Sequence, residues 1–337
     1  MYSWVSGTRV EALLEVDYPA LSVLSAPYVP VPSHPIPAET NKIIASWAAQ
    51  RGEGCKQFYC AAGGAAADPA SLGVGWVLAA RKNASLMQAL DEEVEYLLDD
   101  VKRFPDGTMS MRQEDEDVSL WADFVYMVPP FLAYDGILNH DEAILDEAFK
   151  QIELYRKYLK DDKTDLWRHI YNWIYNNDQG LWATGKCNGW AAAGMLRVAA
   201  TVHKSVYRVK YAHQVKERVS WIDGILVGAF ARIGDDDLLP NYLDRAANAT
   251  FSDTASSALL ASVSFRLSAL GLKQTSSNIA IAKRLRVAVN KGIDPTTGWI
   301  APAVNPVGWE KNSGESPEGV AFALLLDAAY RAYLAKA

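Results

Sequence analysis

Four turns rich in Gly, Asp or Pro, each followed by a short extended apolar or aromatic piece, punctuate a chain that otherwise reads as helix. They are PDGTMSM from Pro105, DQGLWATG from Asp178, GDDDLLPNYL from Gly234 and DPTTGWIAP from Asp294. Their separation of roughly 57 to 73 residues is the length of a helical hairpin plus its loops in a repeat architecture. About six such hairpins fit in 337 residues. Closed on themselves, they make an all-α (α/α)6 barrel with its extended loops gathered at one rim. An open helical solenoid is the alternative, but the final helix, PEGVAFALLLDAAYRAYLA, is apolar enough to be packed on both sides, which favours closure. No Pro/Gly/Ser linker or low-complexity tract divides residues 1–337, so one domain is expected.

The helical period is clearest from Leu86 to Val101. Leu86, Leu90, Val94, Leu97 and Val101 fall on one stripe, with Asp91, Glu92, Glu95 and Asp99 facing outward. Further helices are predicted near 38–49, 69–81, 141–159, 189–203, 206–232, 254–270, 277–290 and 317–335. Asp68-Pro69 and Ser316-Pro317-Glu318 each set a capping oxygen before a proline at the first helical position, where the missing N–H costs nothing.

A net charge of -7 argues against nucleic acid as the main partner, since phosphate neutralisation needs a basic face. No apolar run approaches the roughly 20 residues that span a bilayer, so no membrane partner is expected. The opening MYSWVSGTRVEALLEVDYP has no basic start followed by an apolar core, which predicts a cytoplasmic protein, or a secreted one if a leader precedes Met1. The sequons at Asn83 and Asn248 matter only in the second case. Cys55, Cys60 and Cys187 are too few for a disulfide framework and are read as reduced thiols. No Cys/His spacing resembles a zinc site, and no cofactor is called for. No sustained heptad or exposed apolar strand points to a partner subunit.

Chemistry-bearing residues interrupt aromatic or small-residue segments at four places: Asp68, Asp123, LWRHIYN with His169, and WATGKCNGWAAAG from Trp182. In WADFVYMVPPFLAYDG, Asp123 lies at the edge of a stripe that includes Trp121, Phe124, Val128 and Phe131. Burial there would raise its pKa, as a general acid working near neutral pH requires, although an acid at a helix start is also an ordinary cap. Pro129-Pro130 predicts a kink or break in this segment. Arg112 and Lys186 are candidate partners for a substrate carboxylate, and each also reads as a solvated surface charge. Eleven tryptophans offer flat apolar faces to sugar C–H groups, and equally fill cores.

These segments carry a family resemblance. GTRVEALLEVDYPALSV, DPASLGV, GTMSMRQ, WADFVYMVPPFLAYDG, LWRHIY, GLWATGKCNGWAAAGMLRV, DTASSALLAS and SPEGVAFALLL together resemble glycoside hydrolase family 105, the unsaturated rhamnogalacturonyl hydrolases, especially fungal-type members. The resemblance implies an (α/α)6 barrel, a metal-free site, and release of a 4,5-unsaturated uronic acid from the non-reducing end of a lyase-generated oligosaccharide. It implies Asp123 as proton donor and base, Asp68 as a second active-site aspartate and His169 as a substrate contact. Trp182 and Trp190 match site-lining tryptophans, Met127 and Arg112 match residues near the pocket, and Trp121 joins them as a sugar-packing ring. Two departures stand out: WATGKCNGW is longer than the family's usual run, shifting Lys186, Cys187 and Asn188, and Met111 replaces a common histidine.

An unsaturated uronic acid is an enol ether, so protonation at C4 makes a cation shared by C5 and the ring oxygen, and water adds at C5. The hemiketal then opens and the neighbouring sugar leaves, a sequence that needs one acid, one base and a binding cradle. Two alternatives remain from the residues alone: a conventional acid–base pair acting on a saturated glycoside, or a non-catalytic sugar-binding helical protein.

Overall fold

The computed structural model describes residues 2–31, 35–60, 64–81, 83–114, 116–172, 185–245, 249–273 and 275–336. In chain order its helices are α1 (Ser3–Asp17), α2 (Ala38–Ala48), α3 (Gly73–Ala80), α4 (Ala84–Glu95), α5 (Phe124–Leu138) and α6 (Glu142–Leu159). They continue with α7 (Gly185–His203), α8 (Ala212–Phe230), α9 (Thr254–Ala269), α10 (Ser276–Lys291) and α11 (Pro317–Leu334). Odd-numbered helices form an inner ring. α1 packs on the 3-10 turn Asp68–Leu72 that leads into α3, that turn packs on α5, α5 on α7, α7 on α9, α9 on α11, and α11 returns to α1. Closure of this ring removes the solenoid alternative. Even-numbered helices lie outside, each against an inner neighbour. The described residues thus build an (α/α)6 barrel and include six inner and five outer helices.

The two rings differ as their sequences require. α6 buries Leu145, Ala148, Phe149, Ile152, Tyr155 and Leu159 along one stripe, the pattern of a helix with one wet face. α5 is buried all round from Phe124 to Ile137, and it runs on through Pro129 and Pro130 instead of breaking there. Contact on every side outweighs the lost bonds and ring clashes, about 3 kcal/mol for each proline. α1 escaped prediction because its buried side includes Ser3, Ser6, Thr8, Glu11 and Glu15, which hide the apolar stripe. A Cβ on Gly194 of α7 would collide with the Val125 carbonyl of α5, so glycine is what lets these inner helices touch backbone to backbone.

Three buried ion pairs are strung along the barrel axis. Lys186 of α7 meets Glu318 of α11 near one end, Arg197 of α7 meets Glu11 of α1 midway, and Arg266 of α9 meets Glu15 of α1 near the other. Each outer helix from α4 onward leads into a loop closed by an isolated bridge: Arg103 with Met109, Lys160 with Trp167, Pro240 with Ser252 and Ile293 with Ile300. These loops contain the predicted turns at Pro105, Gly234 and Asp294, and all precede inner-helix N-termini; the Asp178 turn lies outside the described residues. Two small antiparallel sheets complete the rim: β1 (Leu120–Trp121) with β2 (Ile170–Tyr171), and β3 (Ala303–Asn305) with β4 (Gly308–Ser313).

The cysteine reading needs correction. Cys55 and Cys60 are disulfide-bonded, with Cα atoms 5.7 Å apart, and Cys187 is a buried thiol outside the bridge. Counting cysteines along the chain did not reveal that a five-residue separation folds back on itself here.

Candidate active site

The inner-helix N-termini surround a cavity of about 560 Å³. Its shape follows from the rim pairings. β1 and β2 set Trp121 opposite Ile170, and the Ala122 N–H donates to the His169 carbonyl at 2.8 Å. Asp123 and His169 are therefore neighbours, with Asp123 Oδ2 3.1 Å from His169 Nε2. The Trp121 ring meets the His169 ring edge-on, with centroids 5.5 Å apart. Behind them Asn188, in the first turn of α7, holds both backbone polar groups of Trp167: its Oδ1 accepts from Trp167 N at 2.8 Å and its Nδ2 donates to Trp167 O at 3.1 Å. The longer WATGKCNGW run has thus left Asn188 buried in a fixed structural contact two residues from His169.

Asp123 occupies the N-cap position of α5 with helical backbone angles, φ −56° and ψ −34°, and its side chain makes no capping bond. Asp68 does not cap either: it is the first residue of the 3-10 turn, whose N-cap is Ala67. Neither aspartate therefore makes the capping bond that the sequence allowed, although both stand at helix starts. The Ser316 signal is by contrast a true cap, accepting from Gly319 N at 3.2 Å.

A bridge between Ala65 and Arg112, and a bond from Ala66 N to Met111 O at 2.8 Å, lay the segment before Asp68 against the Arg112 strand. Asp68 faces the cavity, and its pKa is pushed up to about 7. Burial is the main cause, the Asp123 charge adds to it, and Arg112 opposes both. Tyr155, packed flat on Phe124, also feels the Asp123 charge, which with burial drives its phenol well above the ordinary range.

Of the predicted site residues, Asp68, Arg112, Trp121, Asp123, Met127, His169, Lys186 and Trp190 all line this one cavity. Trp182 lies outside the described residues. The Arg112 guanidinium stands over Trp121, 5.9 Å from the ring centroid. Lys186 Nζ is 2.5 Å from the fully buried Glu318 carboxylate, so its charge is matched inside the protein.

Residues 72–262, more than half of the chain, match the family model described as Glycosyl Hydrolase Family 88. The chain belongs to Glycosyl Hydrolase Family 88. No curated protein matches it. Among solved structures it is similar to a possible GH105 member from Salmonella enterica, with 17% identity and a TM-score of 0.74 over 97% of this chain and 82% of that one. A possible GH105 member from Klebsiella pneumoniae gives 17% identity and a TM-score of 0.75 over 97% and 81%. The unsaturated glucuronyl hydrolase of Bacillus sp. GL1, responsible for the degradation of glycosaminoglycan, gives 14% and 0.57 over 77% and 73%. At these identities the likeness is one of fold.

Within the family 88 match fall Arg112, Asp123, His169, Lys186 and Trp190, while Asp68 lies just ahead of it. This family 88 chain also builds its cavity from residues that the sequence did not mark: Tyr2, Trp4, Trp47, Tyr59 and the 305–307 turn between β3 and β4. Trp47 and Tyr59 meet edge-on, 4.8 Å between centroids, beside the Cys55–Cys60 bridge. Trp47 is hidden among core positions of an amphipathic helix, and Tyr59 has no periodic context, so neither carried a signal beyond being aromatic.

Proposed function

We propose that this glycosidase removes a 4,5-unsaturated uronic acid from the non-reducing end of lyase-generated oligosaccharides, with the pectin and rhamnogalacturonan type as its substrates. The observation that carries this reading is the coupled pair Asp68 and Asp123 in an aromatic-walled cavity, with His169 against Asp123. Such a pair titrates as a unit and holds one proton near neutrality, because two partly buried carboxylates facing one cavity resist ionising together. Asp123 delivers that proton to C4, and as carboxylate it then takes a proton from the water that adds at C5. The proton taken from water returns to the pair, where Asp68 shares it with Asp123 and holds the Asp123 carboxylate in its orientation. His169 fixes the Asp123 carboxylate, Trp121 and Trp190 pack on the sugar, and Met127 fills the wall beside them. Arg112, whose guanidinium stands over Trp121 in the cavity wall, is the candidate for the uronate carboxylate, with Lys186 paired to Glu318 beside it. The N-terminal ends of the inner helices add positive potential where that carboxylate would sit.

The Cys55–Cys60 bridge favours the secreted alternative over a cytoplasmic location, since disulfides persist in oxidising compartments. The direct test incubates the protein with unsaturated disaccharides from pectin, arabinogalactan and glycosaminoglycan lyase digests and follows the ultraviolet absorbance of the conjugated double bond. Loss of absorbance is expected on the pectin-derived substrate. No loss on any of them, or cleavage of saturated glycosides alone, would replace the enol-ether mechanism.

A further inference from the structure

At the opposite end of the barrel the inner helices terminate around a second cavity, of about 790 Å³, that the catalytic reading leaves unused. Its walls come from the ends of α1, α7, α9 and α11 and from the segment before Tyr28. We propose that this cavity is a non-catalytic binding site for an anionic oligosaccharide, a chain of uronate rings. The inference goes beyond the proposed hydrolysis and does not depend on it.

Charge is the first ground. Lys204, Arg208, Arg266, Arg331 and Lys336 line the cavity against a single carboxylate, Glu15, on a protein whose net charge is -7. Glu15 is committed to Arg266 and accepts from Ser25 Oγ at 3.1 Å, and Arg331 Nε has Asp327 at 3.1 Å. Among the described residues no carboxylate lies within ion-pair distance of Lys204, Arg208 or Lys336. Lys204 shows what this imbalance costs. Burial is the main reason that its pKa falls to about 8; Glu15 raises it, while Arg266 and Lys336 push it down. Cations in the last turns of parallel helices also complement negative helix ends. That accounts for Arg331, but Arg208 lies beyond the end of α7 in the following turn.

The second ground is the aromatic rim. Tyr28 is 70% exposed, and a bond from Val29 N to Lys204 O at 3.1 Å holds its segment beside this lysine, whose Nζ donates to the Val23 carbonyl at 3.2 Å and meets no carboxylate among the described residues. An exposed flat ring next to fixed cations is complementary to a uronate, which offers an apolar C–H face and one carboxylate per ring. A small inorganic anion would use the cations and ignore the ring. The volume is also in the range of ligand-binding pockets.

The test titrates the whole protein calorimetrically with saturated trigalacturonate, which has no C4=C5 bond to hydrate, and separately with inorganic phosphate. Saturable binding of the trisaccharide is expected, weakened about tenfold by Arg208→Gln and by Tyr28→Ala and unaltered by Asp123→Asn. Both rim variants should keep the thermal midpoint and hydrolyse an unsaturated disaccharide at the unmodified rate, because their residues are exposed and far from the catalytic cavity. Absence of saturable binding, or binding that neither rim variant weakens, would overturn the proposal. So would phosphate binding as tightly as the trisaccharide with no effect of Tyr28→Ala, which would leave an ion site only.

Discussion

At the N-terminal end of the inner ring two carboxylates share an aromatic cavity, whereas at the C-terminal end cations outnumber the one carboxylate that faces the opening. The same six helices build both ends, and their parallel arrangement sets a positive helix terminus at the first and a negative one at the second. Background potential alone would make Asp68 a stronger acid and Lys204 a stronger base. Both move the other way, Asp68 up to about 7 and Lys204 down to about 8. Desolvation is the first cause in each case, and a like charge nearby reinforces it. Helix ends choose which sign of ligand is favoured; burial decides which side chains are held away from their ordinary protonation.

The sharpest way to break this contrast is at Asp123. Asp123→Asn should lower turnover by about a thousandfold or more with the thermal midpoint unchanged, since general acid–base groups contribute about 10² to 10⁴. Steady-state rates near the unmodified value would remove Asp123 from the chemistry. Asp68→Asn, measured in the same assay, should cost about a hundredfold, because it removes the partner that shares the proton but leaves the donor.

Next come the ion pairs that link the two ends. Lys186→Met should destabilise the fold by about 3–5 kcal/mol, because it strands the buried Glu318 carboxylate. Adding Glu318→Gln should recover much of that loss in chemical denaturation. A lysine that mainly bound substrate would instead raise KM with little effect on stability.

A pH series separates the ends by sign. The folded pKa of Asp68 lies above its unfolded value, so the folded state holds a proton that the unfolded chain releases near pH 4. The associated stability is fully present below that pH and is lost as pH rises through about 7. Relative to Asp68→Asn, the unmodified protein should lose melting temperature across this window, and its kcat/KM should fall above pH 7. A flat difference between the two melting curves would show that Asp68 is not the group holding the proton. The smallest effect is expected from Cys55→Ser with Cys60→Ser. That pair closes a short loop, so thermal stability should fall by a few degrees, with a rise in KM if Tyr59 lines the sugar path.

Much of this could be read before folding. The helical period located nine of the helices, and the recurring turns pointed to loops gathered at one rim. What stayed hidden has a common cause. α1 carries Glu11 and Glu15 inward because their partners, Arg197 and Arg266, come from helices far along the chain, so locally it does not look like a buried helix. Pro129 and Pro130 look like a break because local propensity knows nothing of the packing that surrounds α5. Cys55 and Cys60 look like isolated thiols until the loop between them turns.

Sequence by itself determined what depends on neighbours within a few turns: the helix period, the punctuating turns, and the family-bearing blocks around Asp123 and Asn188. Only the tertiary structure decided that α11 closes on α1, that Lys186 answers to Glu318 rather than standing open to a ligand, and that burial raises the pKa of Asp68. Periodicity is written in local spacing. Desolvation and charge coupling depend on which distant groups are brought within a few ångströms away from water, and that is settled only when the ring closes.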